Sequence, residues 1–176
     1  MVYLILVALN YQHRDKMCFL NDAKFRDNGG CGYILKPEFL RTPNPNYSPM
    51  SLPNNISLNP KRIVLTIISG QHIPRRGGVD QGNIVRPYVK AKIYGHPDDD
   101  KNTNNTDWVE NNGFNPFWNK TFQFYIKAPA LALLLLTVKD KRSFTKIGEK
   151  MGKDKTIGAF SCPVNMLCHG MYYHRI

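Results

Sequence analysis

Residues 87–94 read PYVKAKIY, and this segment is the strongest indication of the fold class. Their apolar and polar side chains alternate with a period of two, which is typical of a β-strand with one buried face and one wetted face. Residues 118–126, WNKTFQFYI, alternate in the same way. Other apolar runs lie at 62–68, 131–138 and 157–160, and turns rich in Gly, Pro and Asn separate the segments. This pattern predicts an antiparallel β-sandwich.

The first sixty residues have a different pattern. Residues 3–12 form an apolar run with branched side chains, which predicts a strand buried on both faces, as in a parallel barrel. Asn, Asp and Gly at 20–30 predict a turn, and residues 33–35 predict a short strand. No segment of the chain has an amphipathic helical period. Residues 42–60 predict a Pro- and Asn-rich linker, because Pro fixes φ and removes an amide donor.

Composition narrows the range of partners. The chain has a formal net charge of +11, which favours a polyanion, either an anionic membrane surface or nucleic acid. We expect no nucleic-acid partner, because the sequence lacks the recognition motifs and the basic helix of such proteins. The four cysteines have no CxxC spacing, so neither a zinc site nor a disulfide framework is expected. The apolar start of the chain is too short to span a bilayer.

Several segments resemble one known family. Leu6–Gln12 reads LVALNYQ and Asn21–Arg41 reads NDAKFRDNGGCGYILKPEFLR. Together they resemble the end of the Y region of eukaryotic phosphoinositide-specific phospholipase C. The second half of the chain is similar to the C2 domain that follows in this family. The segments that carry this second resemblance are LTIISGQ at 65–71, PYVK at 87–90, VENNGFNPFWN at 109–119 and PALAL at 129–133.

The resemblance implies a mainly β fold. It consists of a C2-type antiparallel β-sandwich preceded by a terminal fragment of a β/α (TIM-like) barrel. The implied divisions are residues 1–41 as the end of the Y-box, residues 42–60 as the linker, and residues 61–176 as a C2 domain that stops before the family's last strand.

The resemblance also implies a function. The family hydrolyses phosphatidylinositol 4,5-bisphosphate to diacylglycerol and inositol trisphosphate, using two histidines and a calcium ion held by carboxylates. All of these groups would lie upstream of Met1. We therefore expect a membrane-docking C2 module that is inactive alone, whose partner is the missing upstream catalytic half, in a cytoplasmic protein with peripheral membrane association. The alternative is a stand-alone, calcium-independent lipid-binding C2 protein without enzyme activity.

Calcium binding by C2 domains depends on carboxylates in the loops at one end. The resemblance places Arg86 where the family has an Asp before Pro-Tyr-Val, and it places Lys155 on the last loop. Because Ca²⁺ takes roughly six to eight oxygen ligands, cationic side chains at these positions disfavour it. We expect calcium to be a cofactor of the parent family that this chain does not bind tightly. The remaining candidate ligands are Asp80, Asn112, Asp140 and Asp154.

The same loops are rich in Lys and Arg. If these residues cluster at one end of the sandwich, they attract an anionic phospholipid membrane, at about 1 kcal/mol per basic residue near the surface. The alternative is an ordinary solvated surface on a basic protein. The candidate membrane-binding residues are Arg75, Arg76, Arg86, Lys141, Arg142, Lys146 and Lys155.

Three other features of the sequence are expected to have structural roles only. The aromatic side chains of Trp118, Phe122 and Phe124 alternate on one strand and are expected in the core. The acidic run Asp98–Asp100 is expected to be a solvated loop and not a metal site. Residues 108–110 are expected to form a short strand.

Overall fold

The computed structural model describes residues 9–13, 15–41, 59–74, 85–97, 99, 103–141 and 154–174. Its helices are α1 (Lys16–Arg26) and α2 (Glu38–Arg41), and a 3₁₀ turn covers Val164–Met166. Its strands are β1 (Lys61–Ser69), β2 (Pro87–Tyr94), β3 (Thr103–Asn105), β4 (Phe117–Ile126), β5 (Leu133–Asp140) and β6 (Lys155–Pro163).

The strands of this part of the chain form two sheets. The smaller sheet pairs β1 with β4, and the larger sheet has the order β3-β2-β5-β6. Every pairing is antiparallel. Apolar side chains of both sheets meet in one cluster between them. The mainly β, sandwich-type architecture predicted from the sequence is therefore confirmed.

The alternation along β2 builds the core. Val89, Ala91 and Ile93 are buried, whereas the residues between them are half-buried on the opposite face of the sheet. Phe124 and Ile126 of β4 face them from the smaller sheet and are fully buried. Removing an apolar side chain of this size from water contributes about 1.5–3 kcal/mol, so the cluster accounts for much of the cohesion between the sheets.

The aromatic side chains of β4 divide into two groups. Phe122 and Phe124 are buried, as predicted. Trp118 is only half-buried, and its Nε1 donates a hydrogen bond to the backbone oxygen of Pro87 at 3.3 Å. Trp118 therefore closes the end of the core and links the two sheets there.

The expectation of a solvated acidic loop is wrong for Asp99. This side chain is fully buried, and its carboxylate accepts hydrogen bonds from the backbone amides of Lys127 at 2.8 Å and Ala128 at 3.3 Å. A carboxylate that accepts backbone amides stabilises a turn whose donors would otherwise be buried without partners. Asp98 and Asp100 lie outside the described residues.

The expected turn at 20–30 is also wrong as far as Arg26, because α1 covers Lys16–Arg26. Asp15 caps this helix, since its Oδ1 accepts hydrogen bonds from the amides of Met17 and Cys18. The buried side of α1 includes Leu20 and Ala23, and the helix packs against β6 and β5. No helix among the described residues has the length and apolarity needed to cross a bilayer.

Other strand boundaries differ from the prediction. Residues 9–12 form a turn where a strand was expected, and residues 1–8 lie outside the described part of the chain. The segments 33–35 and 108–110 are not strands. The run at 157–160 is the middle of the longer strand β6, because pairing with β5 extends it at both ends.

We predict that Asp99→Ala lowers the free energy of unfolding by about 1–3 kcal/mol, because the amides of Lys127 and Ala128 lose their acceptor. Urea denaturation followed by circular dichroism measures the change. The control is Asp107→Ala, which removes a carboxylate whose side chain is 90% exposed and contacts Lys120 at 3.4 Å. The control should cost less than about 0.5 kcal/mol, and equal costs for the two variants would contradict the role assigned to Asp99.

Candidate membrane-docking site at the loop end of the sandwich

Three connections meet at one end of the sandwich. β1 ends there and β4 begins there, because Ser69 pairs with Phe117. β2 and β6 begin there and β5 ends there, because Asp140 pairs with both Pro87 and Lys155. We call the connections 70–86, 106–116 and 141–154, together with the bordering strand residues Phe117 and Lys155, the loop end; the structure describes residues 70–74, 85–86, 106–116, 141 and 154 of these connections. The strand register thus brings together residues that are far apart in the sequence.

Asp140 holds two of these connections together. Its Oδ1 accepts a hydrogen bond from the backbone amide of Arg86 at 2.9 Å. The amide of Lys141 donates to the backbone oxygen of Arg86, also at 2.9 Å. Asp140 is one of the candidate calcium ligands, and its carboxylate accepts a hydrogen bond from a protein donor instead.

Asp154 lies in a small polar cluster with Tyr88 and Lys141. Its Oδ2 accepts a hydrogen bond from the Tyr88 hydroxyl at 2.8 Å and lies 3.6 Å from Lys141 Nζ. Burial, followed by the hydrogen bond to Asp154 and the charge of that carboxylate, raises the pKa of Tyr88 well above its usual value. The Tyr88 phenol therefore stays protonated and donates its hydrogen bond to Asp154. The same Asp154 oxygen also lies beside the ammonium group of Lys141.

Asn112 directs its side-chain oxygen back to its own loop. The Oδ1 atom accepts hydrogen bonds from the amides of Phe114 at 3.2 Å and Asn115 at 3.0 Å. A carbonyl oxygen has two lone pairs, and both are engaged in this turn. The geometry explains the turn at 112–115 and leaves this oxygen without spare capacity for a metal.

The described residues do not fit a calcium ion well. They contain no group of three or more His, Cys, Asp or Glu side chains placed to hold a metal. Asp140, Asp154 and Asn112 each bind protein donors instead, with Lys141 beside Asp154. Asp80, the fourth candidate ligand, lies outside the described residues.

Three of the predicted membrane-binding residues lie together at the loop end. Arg86 is half-buried, Lys141 keeps 37% of its side chain exposed, and Lys155 is exposed. The backbone contact between Arg86 and Lys141, and the pairing of Asp140 with Lys155, place the three at neighbouring ends of β2, β5 and β6. The other candidates lie outside the described residues and stay predictions; they are Arg75, Arg76, Arg142 and Lys146.

Exposed aromatic side chains at the loop end were missed by the sequence analysis. Trp108 is 50% exposed, and its Nε1 donates to Glu110 Oε1 at 2.8 Å. Lys141 Nζ lies 5.4 Å from the centroid of the Trp108 ring, within the range of a cation–π contact. The segment 108–110 was assigned to a strand, which hid this pairing of an indole ring with a loop-end lysine.

Phe114 and Phe117 extend the aromatic surface. They are 67% and 64% exposed, respectively. The Phe114 ring meets His72 edge-on with centroids 4.7 Å apart, at the rim of a cavity of about 420 Å³. Large apolar rings that face solvent are typical of surfaces that meet a membrane or another protein.

Comparisons with known proteins identify the families that the two parts of the chain match. Residues 61–175 match the C2 domain family, and residues 4–39 match the Y domain of phosphatidylinositol-specific phospholipase C. The chain is 34% identical over 169 residues to Xenopus laevis 1-phosphatidylinositol 4,5-bisphosphate phosphodiesterase delta-4 and 36% identical to the human delta-1 enzyme. Each alignment covers 96% of this chain, and the chain spans about a fifth (21%) of these relatives.

Similar solved structures include C2 domains of other proteins. A C2 domain of RIM from Drosophila has a TM-score of 0.48 at 20% identity, covering 62% of this chain and 80% of that one. A C2 domain of plant extended synaptotagmin 1 has a TM-score of 0.45 at 21% identity, covering 60% of this chain and 70% of that one.

Because residues 61–175 match the C2 domain family, the chain is a C2-domain protein. With the end of the Y domain at residues 4–39 ahead of that C2 domain, it belongs to the phosphoinositide-specific phospholipase C family, and it aligns with about a fifth (21%) of the length of the two delta enzymes.

We predict that Arg86→Asp strengthens calcium binding by at least about tenfold, because it exchanges a positive charge for a carboxylate at the residue whose backbone amide binds Asp140, and it leaves that amide in place. Isothermal titration calorimetry measures the affinity, with an expected dissociation constant weaker than about 1 mM for the unsubstituted chain. Arg62→Asp is the control, since Arg62 has the same charge and contacts Gln123 at 2.7 Å on the smaller sheet. A micromolar constant for the unsubstituted chain would contradict this interpretation.

Proposed function

We propose that this chain is the membrane-docking portion of a phosphoinositide phospholipase C and that it docks through its loop end without calcium. The observation that carries the proposal is the placement of Lys141 against the exposed Trp108 ring, next to Arg86 and Lys155. Lysine and arginine side chains attract an anionic leaflet, and tryptophan favours the headgroup region of a bilayer.

Charge compensation within the loop end supports independence from calcium. In calcium-dependent docking the metal neutralises loop carboxylates so that they can approach anionic lipid. Here Lys141 lies 3.6 Å from Asp154, and the Asp140 carboxylate binds the Arg86 amide. Protein cations and amides therefore reduce the negative potential that a metal would otherwise have to cancel.

Hydrolysis of the lipid is proposed for the whole enzyme and not for this chain alone. The family's paired histidines and its catalytic calcium ion correspond to segments outside the matched Y-domain end and C2 domain. The chain is proposed to act on phosphatidylinositol 4,5-bisphosphate only together with that catalytic half, in a cytoplasmic enzyme that attaches to membranes peripherally. The proposed divisions are residues 1–41, 42–60 and 61–176, and the packing of α1 against β6 supports a fixed contact between the first and the last of them.

We predict that the chain co-sediments with vesicles of phosphatidylserine and phosphatidylcholine in the presence of a chelator and that high salt weakens this binding. Neutralising the loop end with Lys141→Gln and Lys155→Gln should weaken binding roughly 30-fold, at about 1 kcal/mol per residue. The matched control is Lys36→Gln with Lys61→Gln, which removes the same charge from exposed positions outside the loop-end connections.

Two outcomes would contradict the proposal. Binding that disappears with chelator would return the role to calcium, and an equal loss in the control variant would reduce the site to non-specific charge. The same samples should release no inositol phosphate from phosphatidylinositol 4,5-bisphosphate, and release would contradict the placement of the catalytic groups outside this chain.

A further inference from the structure

Strand β1 has a second edge that no strand among the described residues pairs with, because the smaller sheet contains β1 and β4 alone. We call this side of β1 the open edge. The inward side chains of β1 pack against the core but are only half-buried; they are Ile63, Leu65 and Ile67. The inward side chains of β4 are buried; they are Phe122, Phe124 and Ile126. The core is therefore covered less completely along β1 than along β4.

The sequence of β1 does little to protect the open edge. Natural edge strands are usually protected by charged side chains or prolines, and residues 63–68, IVLTII, contain neither. The polar side chains on the outer face of β1 bond to β4 instead. Arg62 donates to Gln123 Oε1 at 2.7 Å, and the hydroxyls of Thr66 and Thr121 lie 2.9 Å apart. These side chains are thereby directed toward β4 and away from the open edge.

Apolar side chains on the outer face of β1 are exposed as well. Val64 is 59% exposed and Ile68 is 38% exposed. The far side of β4 differs, because Lys120 of β4 lies 3.4 Å from Asp107 of the connection beside it. An uncharged strand with an unpaired edge and apolar side chains on both faces is suited to pairing with another strand.

We propose that β1 pairs along its open edge with β1 of a second copy of this chain, antiparallel and about a two-fold axis at Leu65. The two small sheets then form one four-stranded sheet with the order β4-β1-β1-β4. In this register Leu65 faces its own counterpart, Ile63 faces Ile67 of the second copy, and Val64 faces Thr66 of the second copy. The half-buried inward side chains of both copies then cover one another, as a two-fold interface requires.

The distribution of charge along β1 favours the antiparallel arrangement. The two copies of Arg62 would lie six residues apart along the strands, or about 20 Å, and the two copies of Lys61 about 27 Å apart. Both distances exceed the Debye length of about 8 Å at physiological ionic strength. Parallel pairing in register would instead place like cations directly opposite each other. The formal charge of +11 on each chain still repels at long range, so salt should strengthen this dimer.

The first test is sedimentation equilibrium of the full chain. We expect a monomer–dimer equilibrium whose affinity rises between about 0.05 M and 0.5 M salt. Val64→Lys and Val64→Glu should each weaken the dimer at least about tenfold, because the two copies of residue 64 are diagonal neighbours about 7–8 Å apart between Cα atoms. An equimolar mixture of the two variants should restore the affinity, since opposite charges then face each other. This restoration also shows that neither variant lost dimerisation through its fold.

The control for added charge is Leu35→Lys, which changes a side chain that is 75% exposed and lies outside both sheets, and it should leave the dimer intact. A chain that stays monomeric at every concentration and salt would overturn the proposal. Dimers that both Val64 variants leave unchanged would also overturn it, since association would then use another surface. A mixture that associates no more tightly than either variant alone would refute the antiparallel register.

The second test measures the register directly. A nitroxide on Tyr125→Cys lies on the outer face of β4, where the side chain is 59% exposed, and Tyr125 pairs with Arg62. Cys31→Ser and Cys168→Ser remove the exposed thiols. Strand spacing and rise place the two labelled backbones about 25 Å apart in the dimer. Double electron–electron resonance should detect this distance and lose it when Val64→Lys is added, and a dimer without it would contradict pairing through β1.

This inference does not rest on the proposed docking function. Lys141→Gln with Lys155→Gln should weaken vesicle binding and leave the dimer unchanged at high salt, because neither residue belongs to β1. Val64→Lys should abolish the dimer and leave docking of the monomer independent of calcium. Loss of dimerisation in the loop-end variant would overturn the assignment of the interface to β1.

Discussion

The fixed register of β2 in the larger sheet is the constraint on which the other features depend. β2 lies between β3 and β5, and its inward residues Ala91 and Ile93 are fully buried. A slip of one residue would turn Lys90 and Lys92 into the core, where unpaired charges are costly. The register is therefore strongly determined, and it sets which residues reach the loop end and which reach the outer face.

The loop end shows how one strand pairing can organise a polar site. Pairing of β2, β5 and β6 at Asp140 brings Arg86 and Lys155 close to a carboxylate that already binds a backbone amide. Beyond Asp140, Lys141 contacts both Asp154 and the Trp108 ring. These contacts connect the loops through protein groups, as the proposed docking without calcium requires.

The sequence was sufficient where the signal was local. Alternation identified β2 and β4, because a strand with one buried face has a period of two. The continuous apolar run at 131–138 identified β5. The helix α1 was missed because its buried side uses Cys18 and Ala23 as well as Leu20, which gives no strong apolar period. Asp99 was misjudged because its acceptor role depends on the amides of residues 127 and 128, far along the chain.

The candidate site was predicted in part. The basic loop residues and the loss of family carboxylates were visible in the sequence, but the engagement of Asp154 by Tyr88 was not, because it depends on three-dimensional proximity across 66 positions. The exposure of Trp108 also depends on tertiary packing, since indole rings are on average highly buried in folded proteins.

Fluorescence of Trp108 at the bilayer tests the central claim most directly. The chain has two tryptophans, so Trp118→Phe leaves Trp108 as the only indole reporter. With chelator present, vesicles whose acyl chains carry bromine should quench this fluorescence as the protein binds, because the loop end enters the headgroup region. Protein that sediments with the same vesicles while its Trp108 emission stays unquenched would contradict docking through the loop end.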